Sequence, residues 1–537
     1  MISPVRPLLE HIPGEVLVRL KPRMAAASEV GSELGARVAE VFDFPPRPLE
    51  SSQGDLVRLE LPRGMTVAAA LEDLSADHRV EYAEPNFTYS LQGAPATRVP
   101  DDLDPALWGL RNTGADGGKA GADIHAPEAW AVTTGSRSQG PLVAVIDTGI
   151  DFTHSDLRNN VWSNPGEVAG DGQDNDGNGV VDDVHGYNAI DDHGSPMDGH
   201  FHGTHVAGTI AAEGNNGQGV VGVNWEARLM AVKIFSDDAK TNAAAILRGL
   251  SYSTRMGARI TSNSWGGGAF NRSLYEAFRD SPALHVAGAG NNASDNDKLP
   301  FYPSSYRLPN IIAVAATDSK DDLAWFSCYG KQTVDLAAPG VQILSTVPGG
   351  EYRAYNGTSM ATPHVSGVAA LIATRFPDAT NRQIKERILL SADPLESLEG
   401  KIATGGRLNA ARAVELDELP PAPPADLRVD QVDPLGVTLR WTCTGDDGWC
   451  GDASAYELRV SDRPIADEPG EGQMAFAQAT AVPTGRPGAS GTLDFARLWT
   501  EPAAEERKLY FALKVLDNVG NRSEMRALEV TIPAMDA

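Results

Sequence analysis

The first ninety residues show short apolar patterns that change period along the chain. Glu15–Leu20 alternates apolar and polar positions, as a half-buried strand does, and residues 24–40 repeat apolar positions at helical spacing. A second strand, a second helix and a closing strand follow at residues 56–61, 67–74 and 80–87. These elements predict a small α/β domain over residues 12–90.

Between Trp108 and about Val414, short apolar runs alternate with helical patterns. The clearest apolar runs are residues 142–146, 228–234, 259–263, 283–287 and 311–316. Continuous apolar runs are typical of strands that are buried on both faces. The sequence therefore predicts an α/β domain over residues 105–415, with a parallel sheet and helices on both sides.

A proline-rich phrase, Leu419-Pro-Pro-Ala-Pro-Pro-Ala, separates this region from the C-terminal part of the chain. Such a composition favours a stiff, extended linker, placed here at residues 416–424. Residues 425–537 then carry strand patterns and turn signals, most clearly at 435–441, 454–461 and 508–517. We expect a β-sandwich there.

Composition narrows the possible partners. The chain has 537 residues and a formal charge of −27, which argues against nucleic acid and anionic membrane surfaces. The acidity is spread along the chain and is consistent with a solvated surface or an acidic binding role. No apolar run is long enough to predict a membrane span. Met1–Pro7 lacks the apolar core of a signal peptide, so we expect the chain to begin after such a segment or its start to be misassigned.

One serine stands in a position suited to nucleophilic chemistry. Ser359, in Asn356-Gly-Thr-Ser-Met-Ala-Thr-Pro-His, follows small residues and directly precedes a long apolar helix. The start of that helix offers unpaired N–H groups and a partial positive charge. The serine still needs a base and an orienting acid. Candidates are His202, in His202-Gly-Thr-His-Val-Ala-Gly-Thr, and Asp147, in Val143-Ala-Val-Ile-Asp-Thr-Gly.

These three phrases, in the order Asp, His, Ser, resemble the subtilisin-like serine proteases, or subtilases. The resemblance implies a secreted endopeptidase that cleaves protein or peptide substrates through an acyl-enzyme, and we expect a monomer. It also implies that Asn291, in Ala287-Gly-Ala-Gly-Asn, donates to the oxyanion together with the Ser359 N–H. The adjacent Asn292 is the competing candidate.

The same resemblance implies the substrate-binding residues. The substrate is expected to lie as an added strand beside Ser264-Trp265-Gly266-Gly267. The other wall of the primary specificity pocket would be Gly288, Ala289 and Gly290, with Phe301 at its floor. A large side chain at that floor predicts that large aromatic groups next to the scissile bond are disfavoured.

The neighbouring histidines have simpler interpretations. His205, within an apolar helical pattern, is expected to be buried and hydrogen-bonded, and His364 to pack within the helix after Ser359. His200 is expected on the surface of a loop. His202 and His205 have an H-x-x-H spacing, but no third ligand pattern supports zinc.

The N-terminal unit resembles the inhibitory propeptide of subtilases, including its closing phrase Val80-Glu-Tyr-Ala-Glu-Pro-Asn-Phe. The resemblance implies a ferredoxin-like β-α-β-β-α-β fold for this unit. The resemblance implies a zymogen whose own propeptide, residues 12–90, acts as an inhibitor. Residues 91–104 would form a cleavable linker. An independent accessory domain is the alternative interpretation of this unit.

Two segments predict structural calcium. Residues 174–182 place oxygen-bearing side chains at positions 1, 3, 5 and 9 of a loop with Gly at position 6, although position 12 is His185 rather than Glu. The ligands in this loop would be Asp174, Asp176, Asn178 and Asp182, and a solvated Asx turn is the alternative. A second site is implied by the resemblance, with ligands at Asp156, Asn216, Gly214, Gln218, Val220 and, as a weaker addition, Asp104.

The C-terminal region resembles a fibronectin type III β-sandwich, on the strength of Trp441 after an alternating run, Tyr456-Glu-Leu-Arg-Val-Ser and the phrase from Tyr510 to Ser523. Cys443 and Cys450 lie in or near a Gly/Asp-rich loop and could form a local disulfide or remain free buried thiols. A rival interpretation of the whole chain is a binding or adhesion protein that acts through this sandwich and whose protease domain is vestigial.

Overall fold

The computed structural model describes residues 11–21, 27–42, 55–62, 65, 67–87, 97–267, 269–416, 420–445, 453–470, 472–488, 490–501 and 503–535. The chain divides into two compact units, Met1–Pro95 and Ala96–Ala537. Parts of both predicted linkers, residues 91–96 and 417–419, lie outside the described residues. Among the helices in the described ranges, none has the length and apolarity needed to cross a bilayer.

The N-terminal unit has the predicted β-α-β-β-α-β order. Its elements are β1 (His11–Leu20), α1 (Ala27–Glu33), β2 (Arg37–Phe42), β3 (Leu56–Glu60), α2 (Val67–Ala76) and β4 (Val80–Phe87). The four strands form one antiparallel sheet in the order β2-β3-β1-β4. Val16, Val18 and Leu59 of the sheet pack with Ala70 and Leu74 of α2 in a single core. The ferredoxin-like topology is therefore confirmed.

The second unit begins with a nine-stranded sheet. Its strands and helices are α3 (Ala126–Val132), β5 (Leu142–Asp147), β6 (Gly186–Asn188), α4 (His202–Ala211), β7 (Arg228–Lys233), α5 (Ala243–Arg255), β8 (Ile260–Asn263), α6 (Arg272–Asp280), β9 (Leu284–Gly288), β10 (Ile311–Thr317), β11 (Leu336–Pro339), β12 (Ile343–Val347), β13 (Glu351–Tyr355), α7 (Thr358–Arg375), α8 (Asn381–Leu390), β14 (Asp393–Pro394), β15 (Gly406–Arg407) and α9 (Ala410–Ala413). The sheet order is β14-β15-β11-β10-β9-β8-β5-β7-β6. All its pairings are parallel except that of β14 with β15, while β12 and β13 form a separate hairpin.

Helices cover both faces of this sheet because its strands are apolar on both sides. In β5, Val143 and Val145 point into one core, together with residues of α4 and α7. Ala144 and Ile146 point into the opposite core, together with residues of α5 and α6. Every residue of β5 is buried. The subtilisin-like α/β fold is thus as predicted.

The topology brings polar residues to one edge of the sheet. Parallel neighbours β5, β8 and β9 end at or just before Asp147, Ser264 and Asn291. The carboxyl ends of parallel strands lie at a common edge, which is where open α/β sheets bind their ligands. Helices α4 and α7, which carry His202 and Ser359, pack against each other on one face of the sheet.

The C-terminal region forms two antiparallel sheets and two very short strands. Its strands are β16 (Ala425–Asp433), β17 (Gly436–Thr442), β18 (Ala455–Ser461), β19 (Ile465–Ala466), β20 (Met474–Ala475), β21 (Thr480–Val482), β22 (Leu493–Trp499), β23 (Arg507–Leu516) and β24 (Arg526–Ile532). The sheet orders are β16-β17-β22 and β21-β18-β23-β24. Trp441, Leu458 and Leu513 share the core between them. A sandwich is present, and its likeness to fibronectin type III stays a prediction.

Cys443 differs from the disulfide prediction. It is a buried free thiol within the sandwich core, and its Sγ lies 2.9 Å from Asp494 Oδ2. The Thr492 hydroxyl also points at this sulfur, at 3.4 Å. Cys450, the predicted partner, lies outside the described residues. The environment of Cys443 therefore fits the alternative, a buried thiol that hydrogen-bonds to its neighbours.

Candidate active site

Asp147 and His202 meet across the end of β5 and the start of α4. His202 Nδ1 lies 2.7 Å from Asp147 Oδ1, and this oxygen also accepts the N–H of Thr148 at 2.8 Å. Because an ionised carboxylate only accepts, the imidazole carries its proton on Nδ1 and leaves Nε2 available as a base. The Asp147 side chain is 1% exposed and that of His202 is 23% exposed. The aspartate is thus shielded, while the histidine reaches the surface of the cleft.

The charge of Asp147 tunes this histidine. Burial alone lowers the pKa of His202, but the charge of Asp147, its hydrogen bond and the charge of Asp198 outweigh that effect. The net result is a pKa above the ordinary value of 6.5. A base with a raised pKa holds an abstracted proton more firmly.

Ser359 is the second residue of α7, as the sequence pattern predicts. Its hydroxyl donates to the carbonyl oxygen of Ser264 at 2.9 Å. In return, the Ser264 hydroxyl donates to the carbonyl oxygen of Ser359, also at 2.9 Å. The described residues therefore show Ser359 Oγ bonded to the β8 edge rather than to His202. The hydrogen bond between a catalytic hydroxyl and its base is often long or poorly aligned before substrate binds.

Two N–H donors converge next to Ser359. An ideal Cβ placed on Gly357 would lie 3.4 Å from Ser359 N and 3.6 Å from Asn291 Nδ2. The amide oxygen of Asn291 accepts both the N–H and the hydroxyl of Thr358, at 2.8 and 3.0 Å. This fixes the amide orientation, so that its NH₂ faces the space beside Gly357. A developing negative charge there would meet two donors.

Asn292 has a different environment. Its amide oxygen accepts the thiol of the buried Cys328 at 2.6 Å. The structure therefore separates the two adjacent asparagines, with Asn291 directed at Thr358 and Asn292 directed at Cys328. The role of Thr358 in orienting Asn291 could not be predicted from the sequence, because the two residues are 67 positions apart and no spacing links them.

The predicted pocket walls come together around Phe301. A Cβ on Gly266 would lie 2.3 Å from Phe301 Cε1, and one on Gly290 would lie 3.2 Å from Cγ and Cδ2 of the same ring. The phenyl ring therefore lies between the two glycine walls. Ala289 is fully buried, so its side chain packs in the interior rather than lining the pocket. Gly288 packs closely against Thr358, since a Cβ on Gly288 would lie 3.1 Å from Thr358 Oγ1.

A larger cavity lies beside the same Gly266–Gly267 segment. Its volume is about 550 Å³, and its lining includes Phe235, Ile246, Trp265, Leu274, Phe278 and Tyr302. The Trp265 indole is fixed by donating to Ile146 O at 2.8 Å. The apolar lining suits an aliphatic or aromatic side chain. Trp265 lies in the predicted substrate-binding phrase, whereas the other five side chains named here come together from distant segments that no single phrase indicates.

The other histidines have structural environments. His205 Nε2 lies 2.9 Å from Ile343 O, and His364 Nδ1 lies 2.9 Å from Met360 O. Both residues are buried, and burial lowers the pKa of each to about 4. His200 is half-buried rather than a surface residue, and its ring stacks on Phe201 at 4.1 Å.

One predicted cation site is formed by residues that meet around Asn216. Asp156 is fully buried, and its two oxygens accept Asn216 Nδ2 and Val220 N at 2.7 and 3.0 Å. Asp102 Oδ2 accepts Asn216 N at 2.9 Å, while its buried Oδ1 has no partner within the described ranges. A buried, unpartnered carboxylate oxygen beside a second carboxylate fits a hard cation such as calcium.

The structure corrects the prediction of Asp104 as a ligand of that site. Asp104 is exposed, and its Oδ1 accepts the N–H of Ala106 at 2.7 Å, which closes a local turn. The aspartate that reaches Asn216 is Asp102. Three aspartates lie within residues 101–104, and only the backbone path decides that Asp102 is the one that turns inward. Gly214 and Gln218 remain candidates through their carbonyl groups.

The acidic loop also differs from its predicted ligand set. Asp174 accepts the N–H groups of Asn178 and Gly179 at 3.1 and 2.9 Å, and Asp182 accepts those of Gly170 and Gly172 at 2.7 and 3.1 Å. These two carboxylates therefore stabilise turns, as in the Asx-turn alternative.

The carboxylates that do converge in this loop are Glu167, Asp176 and Asp183, whose oxygens lie within 4.8 Å of one another. Asp183 is fully buried, and Glu167 Oε2 is buried with no partner among the described residues. Asn178 Nδ2 donates to Asp176 and Asp183 at 2.9 and 2.8 Å. Three carboxylates at such distances repel one another unless a cation is present, so this cluster fits calcium better than the predicted spacing does.

Comparison with known proteins places these features in a family. Residues 138–414 match the Subtilase family, peptidase S8, and residues 4–86 match the fervidolysin N-terminal prodomain. A thermophilic serine proteinase of Bacillus sp. strain AK1 is 33% identical over 411 residues, covering 75% of this chain and 88% of that protein. Thermitase of Thermoactinomyces vulgaris is 37% identical over 295 residues, covering 54% and 94%.

A cell wall-associated protease of Bacillus subtilis strain 168 is 30% identical over 356 residues, covering 66% of this chain and 36% of that protein. The profile match spans the strands and helices that carry Asp147, His202, Asn291 and Ser359. The prodomain match coincides with the ferredoxin-like N-terminal unit. The chain belongs to the subtilase family and is a subtilisin-like serine endopeptidase with an N-terminal prodomain.

Proposed function

We propose that the protein hydrolyses peptide bonds with Ser359 as nucleophile, His202 as general base and acid, and Asp147 as the group that orients His202. His202 Nε2 takes the Ser359 proton as Oγ attacks the peptide carbonyl, and then donates this proton to the amine that leaves as the peptide bond breaks. Ser359 N and Asn291 Nδ2 donate to the oxyanion of the tetrahedral intermediate. Water then attacks the acyl-enzyme by the same proton transfers in reverse order.

The observation that carries this proposal is the 2.7 Å contact of Asp147 Oδ1 with His202 Nδ1 at the sheet edge that also holds Ser264 and Asn291. This contact occupies Nδ1 of His202, so Nε2 of the same ring is left to act as the base on the cleft side. The test is labelling with a fluorophosphonate, which reacts with an activated serine. Wild type should be labelled and hydrolyse a peptide substrate, and Ser359→Ala should do neither. A labelled Ser359→Ala protein would disprove the assignment.

The alternative, a binding protein with a vestigial protease domain, predicts no labelling of either protein. The ordered positions of Asn291 and Thr358 argue against it, since this geometry serves no evident purpose in a binding protein. The fluorophosphonate experiment therefore decides between the two functions as well.

The pocket geometry supports a preference for small or medium side chains next to the scissile bond. Phe301 occupies the space between Gly266 and Gly290, which leaves little depth for a large aromatic group. The 550 Å³ apolar cavity beside Gly267 would accept a larger apolar side chain further along the substrate. Cleavage of a peptide library, read by mass spectrometry, tests both preferences.

We infer that the enzyme is made as a zymogen that processes itself between about Ser90 and Asp104. The prodomain match and the exposed position of Asp104 support this inference. Wild type should mature to a band shorter by about a hundred residues, and Ser359→Ala should stay full length. Normal processing of Ser359→Ala in a protease-deficient host would assign maturation to another enzyme.

We also propose that calcium stabilises the folded enzyme and that the enzyme acts outside the cell. The residues that would hold calcium are Asp102, Asp156 and Asn216 in one place and Glu167, Asp176 and Asp183 in the other. Bound calcium would neutralise these buried carboxylates. An extracellular location is supported by the cell wall-associated relative. Detection of the mature protein in culture medium tests the location.

A further inference from the structure

A fourth polar side chain, Asp198, lies behind the Asp147–His202 pair. It is 3% exposed and precedes α4 by four residues. Its Oδ1 accepts the Thr148 hydroxyl and the His200 N–H, each at 2.9 Å. Its Oδ2 accepts the N–H and the hydroxyl of Thr204, at 2.9 and 2.6 Å. An ionised carboxylate offers about four lone-pair directions, so all of its acceptor capacity is used.

These partners belong to the two elements that carry Asp147 and His202. Thr148 directly follows Asp147 at the end of β5, and Thr204 lies in the first turn of α4, two residues after His202. The Thr148 hydroxyl also accepts the N–H of Gly203 at 2.8 Å. Asp198 and Thr148 together therefore join the strand end to the helix start. The separation of Asp147 from His202 is set at this junction.

The junction also places a negative charge at the N-terminus of α4. A helix N-terminus carries a partial positive charge, which disfavours protonation of a histidine in its first turn. The Asp198 carboxylate offsets that effect next to His202. Asp237 packs against the loop that carries Asp198, since a Cβ on Gly199 would lie 2.3 Å from the Asp237 carboxylate.

Other charged and titratable groups face His202 and its helix. Asp147 contacts the imidazole directly, and His205 lies on the next turn of α4. Lys233 is buried, but its charge is compensated by Asp237 at 2.7 Å. His200 lies on the loop before the helix. Asp151, which is also buried, donates its backbone N–H to Thr204 Oγ1 at 3.0 Å. Of the carboxylates near α4, Asp147 and Asp198 are those whose charges raise the pKa of His202.

We propose that Asp198 is a positioning residue of the hydrolytic reaction, holding Asp147 against His202 through Thr148 and Thr204 and stabilising the imidazolium that forms in the transition state. The inference rests on the proposed roles of Asp147, His202 and Ser359. Asp198 touches neither the substrate nor the reacting atoms, and it exchanges no proton. It acts by geometry and by charge.

The test compares Asp198→Asn with a matched variant, Asp123→Asn. Asp123 is also buried, at 4% exposure, and its oxygens accept two backbone N–H groups, those of Asn112 and His125, at 2.6 and 2.7 Å. It lies away from the Asp147–His202 pair, so Asp123→Asn should lower the melting temperature and leave kcat and the pH profile unchanged. The two variants separate a structural role from a role in the reaction.

For Asp198→Asn we expect kcat to fall about 10- to 100-fold with KM within twofold of wild type. The acid limb of the kcat/KM profile, which reports ionisation of the free enzyme, should move about 0.5 to 1 unit to lower pH. An unchanged acid limb together with kcat within twofold of wild type would overturn the proposal. A histidine NMR titration in the Ser359→Ala background should show the same displacement for His202.

If Asp198→Asn does not fold, the variants Thr148→Val and Thr148→Ser test the same proposal. Thr148→Val removes the hydroxyl but keeps the shape, and kcat should fall about tenfold, whereas Thr148→Ser should restore most of it. Equal kcat values for Thr148→Val and wild type would overturn the proposal. Failure of the underlying function is distinguishable, because wild type itself would then be inactive and unlabelled by fluorophosphonate.

Discussion

Ser264 and Ser359 exchange hydrogen bonds, each hydroxyl donating to the carbonyl oxygen of the other at 2.9 Å. The carbonyl of Ser359 is available for this because its helical partner would be the N–H of residue 363, which is a proline inside α7. The serine at the helix start is thereby tied to the segment that follows β8. The proposed nucleophile and the proposed substrate-binding edge are held together by hydrogen bonds from their hydroxyls to each other's main-chain carbonyls.

Loss of the Ser264 hydroxyl should loosen this tie. In Ser264→Ala, the partly buried carbonyl of Ser359 loses its donor, and the free energy of unfolding should fall by about 1 kcal/mol. We expect kcat to fall several-fold while fluorophosphonate labelling persists. Thermal melts and single-turnover kinetics measure the two effects. Ser264→Thr, which keeps the hydroxyl, should be closer to wild type in both.

Removal of the Asn291 side chain should slow the reaction without weakening substrate binding. For Asn291→Ala we expect kcat to fall about 10²–10³-fold, the loss found for one oxyanion donor in a subtilisin, with KM little changed. Asn292→Ala is the matched control, since Asn292 is bound to Cys328 instead. Steady-state kinetics on one peptide substrate suffice. Similar losses for both variants would contradict the assignment to Asn291.

Enlarging the pocket at Phe301 should change the selectivity of the enzyme. Phe301→Ala removes the ring that lies between Gly266 and Gly290. We expect kcat/KM for substrates with Phe next to the scissile bond to rise about tenfold or more relative to substrates with Ala there. Paired peptides that differ at that position provide the measurement. A wild type that already prefers Phe over Leu and Ala would refute the pocket assignment.

Buried neutral histidines should make the fold sensitive to acid. Burial lowers the pKa of His285 to about 3, and its Nδ1 contacts Thr261 Oγ1 at 2.7 Å. Since the unfolded chain binds this proton near pH 6.5 and the folded chain does not, stability is full above that pH and declines as pH falls towards about 3.

The measurement is the melting temperature of Ser359→Ala protein between pH 7 and pH 4. Adding His285→Leu should make the decline with pH less steep, whereas His193→Gln, a change at an exposed histidine, should leave the slope as it was. Parallel curves for all three proteins would exclude His285 as a source of acid sensitivity.

Calcium removal should lower thermal stability through Asp102 rather than Asp104. A ligand that binds only the folded state stabilises it by about 2.7 kcal/mol at a hundredfold excess over its Kd. In the Ser359→Ala background, chelator should lower the melting temperature, and Asp102→Asn should reproduce part of that loss. Asp104→Asn, which affects only the turn at Ala106, should retain the full response to chelator. An unchanged melting temperature in chelator would count against both cation sites.

Contiguous phrases made the fold and the relative placement of Asp147, His202 and Ser359 predictable from the sequence. The phrases around Asp147, His202 and Ser359 each include a strand end or a helix start. The local sequence therefore predicts where each of these residues lies in the fold. Burial on both faces of β5 likewise follows from an uninterrupted apolar run. For these features, local sequence and global structure agree.

The cation ligands could not be predicted in the same way. Glu167, Asp176 and Asp183 converge because the loop folds back on itself, whereas the regular spacing of Asp174 and Asp182 serves local turns. Asp102 turns inward only because Asn216, far along the chain, meets it there. Asp198 was missed because a single aspartate before a histidine phrase has no distinctive spacing.

The order of the strands and helices along the chain also has a consequence for synthesis. The strand ends at Asp147 and Ser264 and the helix that begins at Thr358 are made in that order, and α7 ends only at Arg375. A growing chain on the ribosome therefore holds His202, the proposed base, long before it holds Ser359, the proposed nucleophile. The nascent polypeptide cannot digest itself or its neighbours until most of its length has been translated.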